Sequence, residues 1–274
     1  MSVNKEIKIA LCQMMVTDDK SINLENAEKI LHKASVMGCD IAVLPEMFNC
    51  PYDSGFFHKF AEEYPGQTTE MLSRTAEKEG IYIIGGSVPE KTNTGFFNSS
   101  FSFDRKGCLL GTHRKIHLFD INIAGKMKFT ESLTFSPGKD ITVFDTEFCK
   151  AGVAICYDMR FPELIRSMAL LGAEIIFVPA AFNMVTGPAH WHLTNRARAL
   201  DNQIYFAGIS PARNTSSSYK AYGHSMITDP WGRIIAEADE KESIVFAEIS
   251  TGNIKKIREE LPLLKHRRPD IYIK

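Results

Sequence analysis

Several familiar signatures are missing from this chain of 274 residues, and each absence removes a class of protein. No G-x-G-x-x-G motif or P-loop follows the first apolar run, which argues against a doubly wound nucleotide-binding fold. No C-x-x-C or H-E-x-x-H motif is present, so common zinc signatures are absent as well. No internal repeat, low-complexity segment or linker divides the chain. We therefore expect one globular domain over residues 1–274.

Excess charge of one sign and long apolar runs are also missing. Lys and Arg total 32 against 33 Asp and Glu, and this net charge of −1 does not suggest nucleic acid or an anionic membrane as a partner. No apolar run approaches the roughly 20 residues needed to cross a bilayer. The apolar stretch 9–15 is short, is interrupted by Gln13 and precedes no cleavage site, so we interpret it as a strand. We expect a cytoplasmic protein.

Cysteine is present, but its pattern argues against a disulfide framework. The six cysteines are scattered through a chain long enough to bury a large core, so we expect reduced thiols. By default each would be a small buried hydrophobe. The six are Cys12, Cys39, Cys50, Cys108, Cys149 and Cys156.

Hydrophobic periodicity predicts helices and strands mixed along the whole chain. Helices are predicted over residues 21–37, 68–78, 162–171, 189–202 and 252–260. Strands are predicted over residues 7–13, 41–44, 81–85, 141–144, 151–155, 175–178, 204–209, 226–229, 234–237 and 244–248, with an antiparallel hairpin over 99–114. Because crossovers and hairpins both occur, we expect a layered α/β sandwich of mixed sheets covered by helices.

Cys156 is the cysteine whose context is most informative. It lies where an apolar strand pattern ends and a helix-start pattern with Pro162 begins. A thiol at the end of a buried strand is held on rigid backbone, and the amide of Tyr157 can point at an oxyanion formed on a substrate. This position predicts a nucleophile.

Two further strand ends carry ionisable side chains. Glu46 follows the predicted strand 41–44 through Pro45, and Lys115 follows the second strand of the hairpin. Taken singly, each is also explained as a solvated surface charge. Together with Cys156 they would form an acyl-transfer apparatus.

The chemistry requires these residue types. A thiol of pKa about 8.5 is mostly protonated at neutral pH, so a base such as Glu46 must take its proton. The ammonium of Lys115 and the Tyr157 amide would hold the tetrahedral oxygen, and losing one such donor typically costs about 10²–10³ in rate. Glu46 would then return the proton to the leaving amine and activate water against the thioester.

Three segments carry a family resemblance. Residues 44–48 (LPEMF), 113–120 (HRKIHLFD) and 152–164 (GVAICYDMRFPEL) resemble, in order, the motif blocks of the nitrilase superfamily, the carbon-nitrogen hydrolases. The resemblance covers nearly the whole chain. It implies a cofactor-free hydrolase with an αββα sandwich that pairs into αββααββα dimers or larger homo-oligomers.

The resemblance also assigns roles to residues. Glu46, Lys115 and Cys156 match the family's Glu-Lys-Cys triad, and Glu131 matches a second glutamate that holds the lysine and helps to orient substrate. From spacing alone, Glu131 would be interpreted as a solvated loop acid, because Lys126, Lys128 and Lys139 surround it in sequence.

Within the superfamily, three further segments resemble the omega-amidases, which hydrolyse the terminal amide of 2-oxoglutaramate and 2-oxosuccinamate: 49–52, 115–120 and 181–191. The segments 157–163 and 266–272 fit the deaminated-glutathione amidases equally well. An N-carbamoyl amino acid hydrolase or a nitrilase is a more distant alternative. All share the reaction chemistry.

Four residues are predicted to contact substrate. The Arg160 guanidinium would bind the carboxylate of an oxo-acid amide, although it is equally suited to bracing the following helix. Phe182 and Thr186, after the predicted strand 175–178, would form the pocket wall, while core packing is the default for Phe182. Tyr52 would hydrogen-bond a substrate carboxylate or simply pack. Arg196 and Arg198 are interpreted as structural ion-pair partners.

Histidine spacing gives no metal prediction. His113 and His117 are four residues apart but span a strand-to-loop change, and no nearby acid or thiol completes a site with His190 and His192. Two other function classes stay open. A papain-like thiol protease would pair Cys156 with His190 or His224, although its signature is missing, and a catalytically idle interaction module would keep the sandwich without needing Cys156.

Overall fold

A computed structural model describes residues 5–272, so both ends of the predicted domain 1–274 lie outside the described residues. Six α-helices lie within the described part: α1 Lys20–Val36, α2 Ser54–Phe60, α3 Gln67–Glu79, α4 Pro162–Leu170, α5 Gly187–Asn202 and α6 Thr251–Glu260. No helix among these residues combines the length and the apolar character needed to span a bilayer.

The first of two large sheets contains both the first and the last strand of the described residues. Its strands are β1 Glu6–Gln13, β2 Ile41–Val43, β3 Tyr82–Ile84, β4 Val88–Thr92, β5 Gly95–Phe103, β6 Leu109–Arg114 and β15 Ser243–Ser250. The order is β15-β1-β2-β3-β5-β4, and β6 also pairs with β5. The pairs β1–β2 and β2–β3 are parallel and the others are antiparallel, so the sheet is mixed as predicted.

The second sheet is built from the later part of the chain. Its strands are β9 Thr142–Asp145, β10 Lys150–Val153, β11 Ile175–Pro179, β12 Tyr205–Ile209, β13 Met226–Thr228 and β14 Ile234–Glu237, in the order β14-β13-β12-β11-β10-β9. The central strands β10, β11 and β12 are parallel. A separate hairpin, β7 Asp120–Ile123 with β8 Met127–Thr130, lies between the two sheets in sequence.

Alternating side chains of β1 explain the layering. Ile9 and Leu11 point into a core shared with Val153 and Phe177 of the second sheet. Ala10 and its neighbours in alternation pack instead on α1 and α3. Because successive side chains of a strand face opposite sides, one strand lines both cores. Each fully buried large aliphatic side chain contributes about 1.5–3 kcal/mol to folding.

The second sheet is covered in the same way. Ile176 and Val178 of β11 face α4 and α5, where they pack with the fully buried Trp191. The layer order is therefore helices, sheet, sheet, helices, which is the predicted αββα sandwich.

Most predicted elements match the observed ones within a few residues, but four were missed. Helix α2 is only seven residues long and contains Gly55, so its helical signal is weak; the Asp53 side chain caps it by accepting from the Gly55 amide at 2.9 Å. Strand β4 and the hairpin β7–β8 were also absent from the prediction. These short strands carry many charged and exposed residues.

Candidate active site

Glu46 lies just beyond β2 and is completely buried. Its Oε1 accepts from Lys115 Nζ at 2.9 Å and from Asn98 Nδ2 at 2.9 Å. Burial raises the pKa of the Glu46 carboxyl, and Glu131 adds to this, while Lys115 opposes both. Its carboxylate is therefore a stronger base than one in water.

Lys115 follows β6 and is also completely buried. Its Nζ donates to Glu46 Oε1 and Glu131 Oε2, both at 2.9 Å, and it lies 3.4 Å from the hydroxyl of Tyr52. Burial alone would lower the lysine pKa, but Glu131 and Glu46 outweigh it and raise the pKa well above its usual range. The amine is therefore a permanent buried cation.

Glu131 begins the short 3-10 helix Glu131–Leu133 after β8 and is buried beside Lys115. The interpretation from spacing alone, a solvated loop acid, is wrong. The backbone turns this side chain inward, where its Oε2 accepts from the Phe119 amide at 2.6 Å as well as from Lys115. The lysines near it in sequence, Lys126 and Lys128, stay exposed.

Cys156 lies beyond β10, at the start of the 3-10 turn Cys156–Arg160. Its φ of 47° is in the left-handed region, which costs a non-glycine residue about 1–3 kcal/mol. The side chain is buried, and Glu46, Lys115 and the Ala181 backbone are close enough to act on its pKa. Burial raises its pKa well above the usual range, and Glu46 adds to this against the opposing Lys115. The resting group is therefore a thiol.

The structure thus brings Glu46, Lys115, Glu131 and Cys156 together at one edge of the sandwich. Strand β2 of the first sheet and strand β10 of the second sheet each run parallel to a neighbour in their own sheet, and both end there. Open α/β sheets bind ligands beyond the carboxyl ends of such strands. A small cavity of about 30 Å³ beside Glu46 is lined by Tyr52, Tyr219 and Ala181. A larger cavity of about 440 Å³, lined by Glu90 and Arg114 among others, includes none of the four.

Tyr157 and Arg160 continue the nucleophile turn. The Tyr157 ring packs edge-on against Phe119, with centroids 5.2 Å apart. The Arg160 guanidinium lies 4.5 Å from the centroid of the Phe182 ring, and its Nη1 donates to His190 Nδ1 at 3.0 Å. Burial lowers the Arg160 pKa.

The other predicted substrate residues lie around this turn. Phe182 is buried between Arg160 and Trp191, whose ring centroid is 5.0 Å away. Thr186 precedes α5, and both its amide and its hydroxyl donate to Asn183 Oδ1. Tyr52 is buried over Lys115, with the ammonium 5.8 Å from its ring centroid.

Asn98 is a site residue that the sequence analysis missed. Its Nδ2 donates to Glu46 Oε1 at 2.9 Å and to Glu131 Oε1 at 3.1 Å, so one amide bridges the two glutamates. Strand β5 is buried on both faces from Phe97 to Phe103, and alternation places Asn98 with Ser100 and Ser102, so no local signal distinguishes it.

Asp158 is a second residue that was missed. The carboxylate is fully buried and accepts from the amides of Ile155 and His117 at 3.0 and 2.9 Å. Its oxygens lie 3.0 Å from His113 Nε2 and 2.8 Å from His117 Nδ1. Although burial raises its pKa, these histidines hold the pKa well below the usual range. The two histidines considered as a metal pair instead share this carboxylate.

Arg196 and Arg198 donate hydrogen bonds mainly to backbone carbonyls. Arg198 donates to the carbonyl oxygens of Met159 and Arg160 at 2.8 and 2.9 Å, and its distance to Asp201 is 3.7 Å. Arg196 donates to Gly232 O at 2.8 Å. Both are structural, but they bond mainly to the backbone and not to the predicted ion-pair partners, and Arg198 braces the nucleophile turn.

The prediction that no acid lies near His190 and His192 is wrong. His192 Nε2 is 2.6 Å from Glu237 Oε1, and His224 Nδ1 is 3.3 Å from the same oxygen. These partners lie far away in sequence, where spacing gives no signal.

This chain belongs to the carbon-nitrogen hydrolase family, whose model matches residues 8–259. Among curated relatives, the omega-amidase NIT2 of Danio rerio is 47% identical over 267 residues, covering 97% of this chain and 96% of that protein. The omega-amidase NIT2 of Homo sapiens is 44% identical over 265 residues, with the same coverages.

Solved structures agree in fold. Saccharomyces cerevisiae Nit3, described as a member of branch 10 of the nitrilase superfamily, superposes with a TM-score of 0.89 at 44% identity, covering 96% of this chain and 97% of that one. These findings confirm the predicted family, the α/β fold and a nitrilase-type amidase that hydrolyses non-peptide carbon-nitrogen bonds.

Proposed function

We propose that this protein is an omega-amidase that uses Cys156 to hydrolyse the terminal amide of small dicarboxylic monoamides such as 2-oxoglutaramate and 2-oxosuccinamate. The observation that carries the proposal is the completely buried ion cluster of Lys115 with Glu46 and Glu131, close enough to the buried Cys156 for Glu46 and Lys115 to act on its pKa. The substrate class rests on the omega-amidases among its relatives.

The first half-reaction forms a thioester. Glu46 takes the thiol proton as Cys156 sulfur attacks the amide carbon, and a C–S bond forms. The oxyanion is stabilised by Lys115 Nζ and the amide of Tyr157. When the tetrahedral intermediate collapses, the C–N bond breaks and Glu46 donates its proton to the leaving nitrogen, which departs as ammonia.

The second half-reaction consumes water. Glu46 takes a proton from water while the water oxygen attacks the thioester carbon, so a C–O bond forms and the C–S bond breaks. The sulfur recovers a proton from Glu46 and the acid product leaves. One amide and one water thus give one carboxylic acid and one ammonia, and no cofactor is needed.

Glu131 and Asn98 hold Lys115 and Glu46 in position for these proton transfers. Glu131 accepts from Lys115 beside Glu46, and Asn98 donates to both carboxylates. Because Lys115 keeps its charge, Glu46 is the group free to change protonation during turnover.

Substrate recognition is assigned to Arg160, Phe182, Thr186 and Tyr52. The guanidinium suits the distal carboxylate, since its buried Nε has no hydrogen-bond partner among the described residues, while Nη1 donates to His190. The cavity beside Glu46 has a volume of about 30 Å³ and is lined by Tyr52 and Tyr219, so both side chains border the approach to Glu46.

The test is an ammonia-release screen over small ω-amides with wild type, Cys156→Ala and Cys108→Ala in parallel. Cys108 is an exposed thiol and serves as the matched control. We expect Cys156→Ala alone to abolish release. If no ω-monoamide supports Cys156-dependent release, the proposal fails. A clear preference for deaminated glutathione over 2-oxoglutaramate would reject the omega-amidase assignment in favour of the neighbouring amidase.

We also propose a single-domain cytoplasmic protein that forms homodimers. Exposed leucines on α4 and α5, among them Leu170 and Leu193 at 52% and 68% exposure, provide an apolar face for a second copy. All six cysteines are free, which suits a reducing compartment. Sedimentation of wild type and Leu193→Glu tests the dimer, since a charge on this face should dissociate it.

A further inference from the structure

A second group of chemically active side chains lies outside the Cys156 site. It consists of His192 on α5, His224 just before β13 and Glu237 at the end of β14. One ligand atom from each lies within 4.8 Å of the others. Both imidazoles contact the same carboxylate oxygen, with His192 Nε2 at 2.6 Å and His224 Nδ1 at 3.3 Å.

The backbone holds His224 in place. Its φ of 59° lies in the left-handed region, and its amide donates to Asp239 O at 3.0 Å. Its carbonyl accepts from Trp191 Nε1 at 2.6 Å, and the Tyr222 ring lies 4.4 Å from its imidazole. The ring is thus set by contacts on several sides rather than by the acid alone.

Exposure and charge also suit a bound cation. The three side chains are partly exposed, at 34%, 23% and 31%, so a hydrated ion can reach them and water can fill the remaining coordination positions. With neutral imidazoles the group carries one negative charge. Two imidazole nitrogens and one carboxylate oxygen are ligands of zinc and other first-row divalent ions.

We propose that His192, His224 and Glu237 form a binding site for a divalent first-row transition ion such as Zn²⁺, completed by water. The ion replaces the two hydrogen bonds that now converge on Glu237 Oε1. Its three ligands come from a helix, a turn and a strand, so the ion ties α5 to the edge of the second sheet. This proposal is independent of the proposed amidase reaction.

The position of the site gives the ion a structural role. Trp191, next to His192, packs on Phe182, and His190 on the same helix accepts from Arg160 at 3.0 Å. The start of α5 therefore connects the ion to the wall of the Cys156 site. No ligand atom belongs to the catalytic cluster itself.

The experiment is calorimetric titration of the full chain, stripped with a chelator, against ZnCl₂. The variants are His192→Gln and Glu237→Gln, and the matched control is His32→Gln. His32 is an exposed histidine on α1 that contacts a single carboxylate, that of Glu79, at 3.0 Å. Glu237→Gln keeps a hydrogen-bond acceptor but removes the charge, so it separates ion binding from the hydrogen bonds.

We expect one ion per chain in wild type and in His32→Gln, with affinity at least about tenfold weaker in the two site variants. Zn²⁺ should also raise the melting temperature of wild type but not of the site variants. Because thiols bind zinc too, Co²⁺ is added as a spectroscopic probe. Equal zinc affinity in all four proteins, or sulfur-to-cobalt charge transfer in the one-ion complex, would overturn the proposal.

Discussion

The imidazole of His113 and the carboxylate of Asp158 meet at 3.0 Å, and both side chains are completely buried. His113 comes two residues before Lys115 and Asp158 two residues after Cys156. This contact therefore joins the segment that carries the buried cation to the segment that carries the thiol. The His117 amide, which donates to the same carboxylate at 2.9 Å, closes the link from the other side of Lys115.

Asp158→Asn should weaken this link while keeping the side-chain shape. The amide cannot replace a carboxylate that accepts from two backbone amides and faces two imidazoles, so Lys115 and Cys156 lose their alignment. We expect kcat to fall at least about tenfold with KM little changed, and the free energy of unfolding to drop by about 3–5 kcal/mol. Steady-state kinetics and urea unfolding measure both, with the exposed Asp18→Asn as control. An unchanged kcat would contradict this role.

The same residue predicts a pH dependence of stability. The pKa of Asp158 is well below its unfolded value of about 3.9, so its contribution is fully present above about pH 4 and is lost as pH falls further. The difference in unfolding free energy between wild type and Asp158→Asn should therefore shrink below about pH 4. Urea titrations between pH 3 and pH 7 test this. A difference in unfolding free energy that grows towards low pH would contradict the prediction.

Lys115→Met should be among the most destabilising single changes in the site. It leaves Glu46 and Glu131 buried without their cation, which typically costs about 3–5 kcal/mol. Burial already raises the Glu46 pKa, and without Lys115 the carboxyl takes a proton more readily. The deficit should therefore be smaller at pH 5 than at pH 8. Urea unfolding at both values tests this, with the exposed Lys126→Met as control. Equal deficits would argue against a buried charge cluster.

Asn98→Asp should lower the melting temperature and turnover more than Asn98→Ala does, although it changes fewer atoms. Aspartate would put a third carboxylate beside two buried glutamates, whereas alanine only removes the bridging donor. Losing a hydrogen bond to a charged group costs about 1.5–3 kcal/mol, and the added charge increases that loss. Melting temperature and turnover of both variants decide the point. If aspartate is tolerated better, the amide does not act as a donor to both acids.

Arg160→Lys tests the assignment of the substrate carboxylate. A lysine keeps the charge but loses the planar fork, so KM for 2-oxoglutaramate should rise by about 10–100-fold. KM for a monoamide without a carboxylate should stay near the wild-type value. Arg166→Lys, on α4 and bonded to the Asp201 carbonyl, is the matched control. Equal rises for both substrates would instead indicate that Arg160 braces the helix.

Local sequence patterns were sufficient for a layered sandwich of mixed sheets covered by helices and for three strand-end residues, whereas the αββα order came from the family resemblance. Glu46, Lys115 and Cys156 each follow a predicted strand, and such positions are visible without a structure. Glu131 was different, because its own neighbours indicated solvent and only the family resemblance pointed to a role. Side-chain direction in a short 3-10 turn is set by tertiary packing, which periodicity does not report.

The supporting residues could not be predicted because their partners are distant in sequence. Asn98 bridges acids that lie 52 and 33 residues away, and Asp158 reaches back 45 residues to His113. Neither residue breaks its local pattern in a way that distinguishes it from an ordinary polar core residue. Glu237, which lies 45 residues from His192, went unnoticed for the same reason.

Glu46 and Lys115 follow strands of the first sheet, whereas Cys156 follows a strand of the second. The reacting groups therefore meet only when the two sheets have docked along their shared apolar core. Turnover reports on that docking event, and a chain with both sheets formed but not yet joined would be inactive. During refolding, recovery of ammonia release should lag behind the return of secondary structure. Activity then measures the last step of folding, the docking of the two sheets.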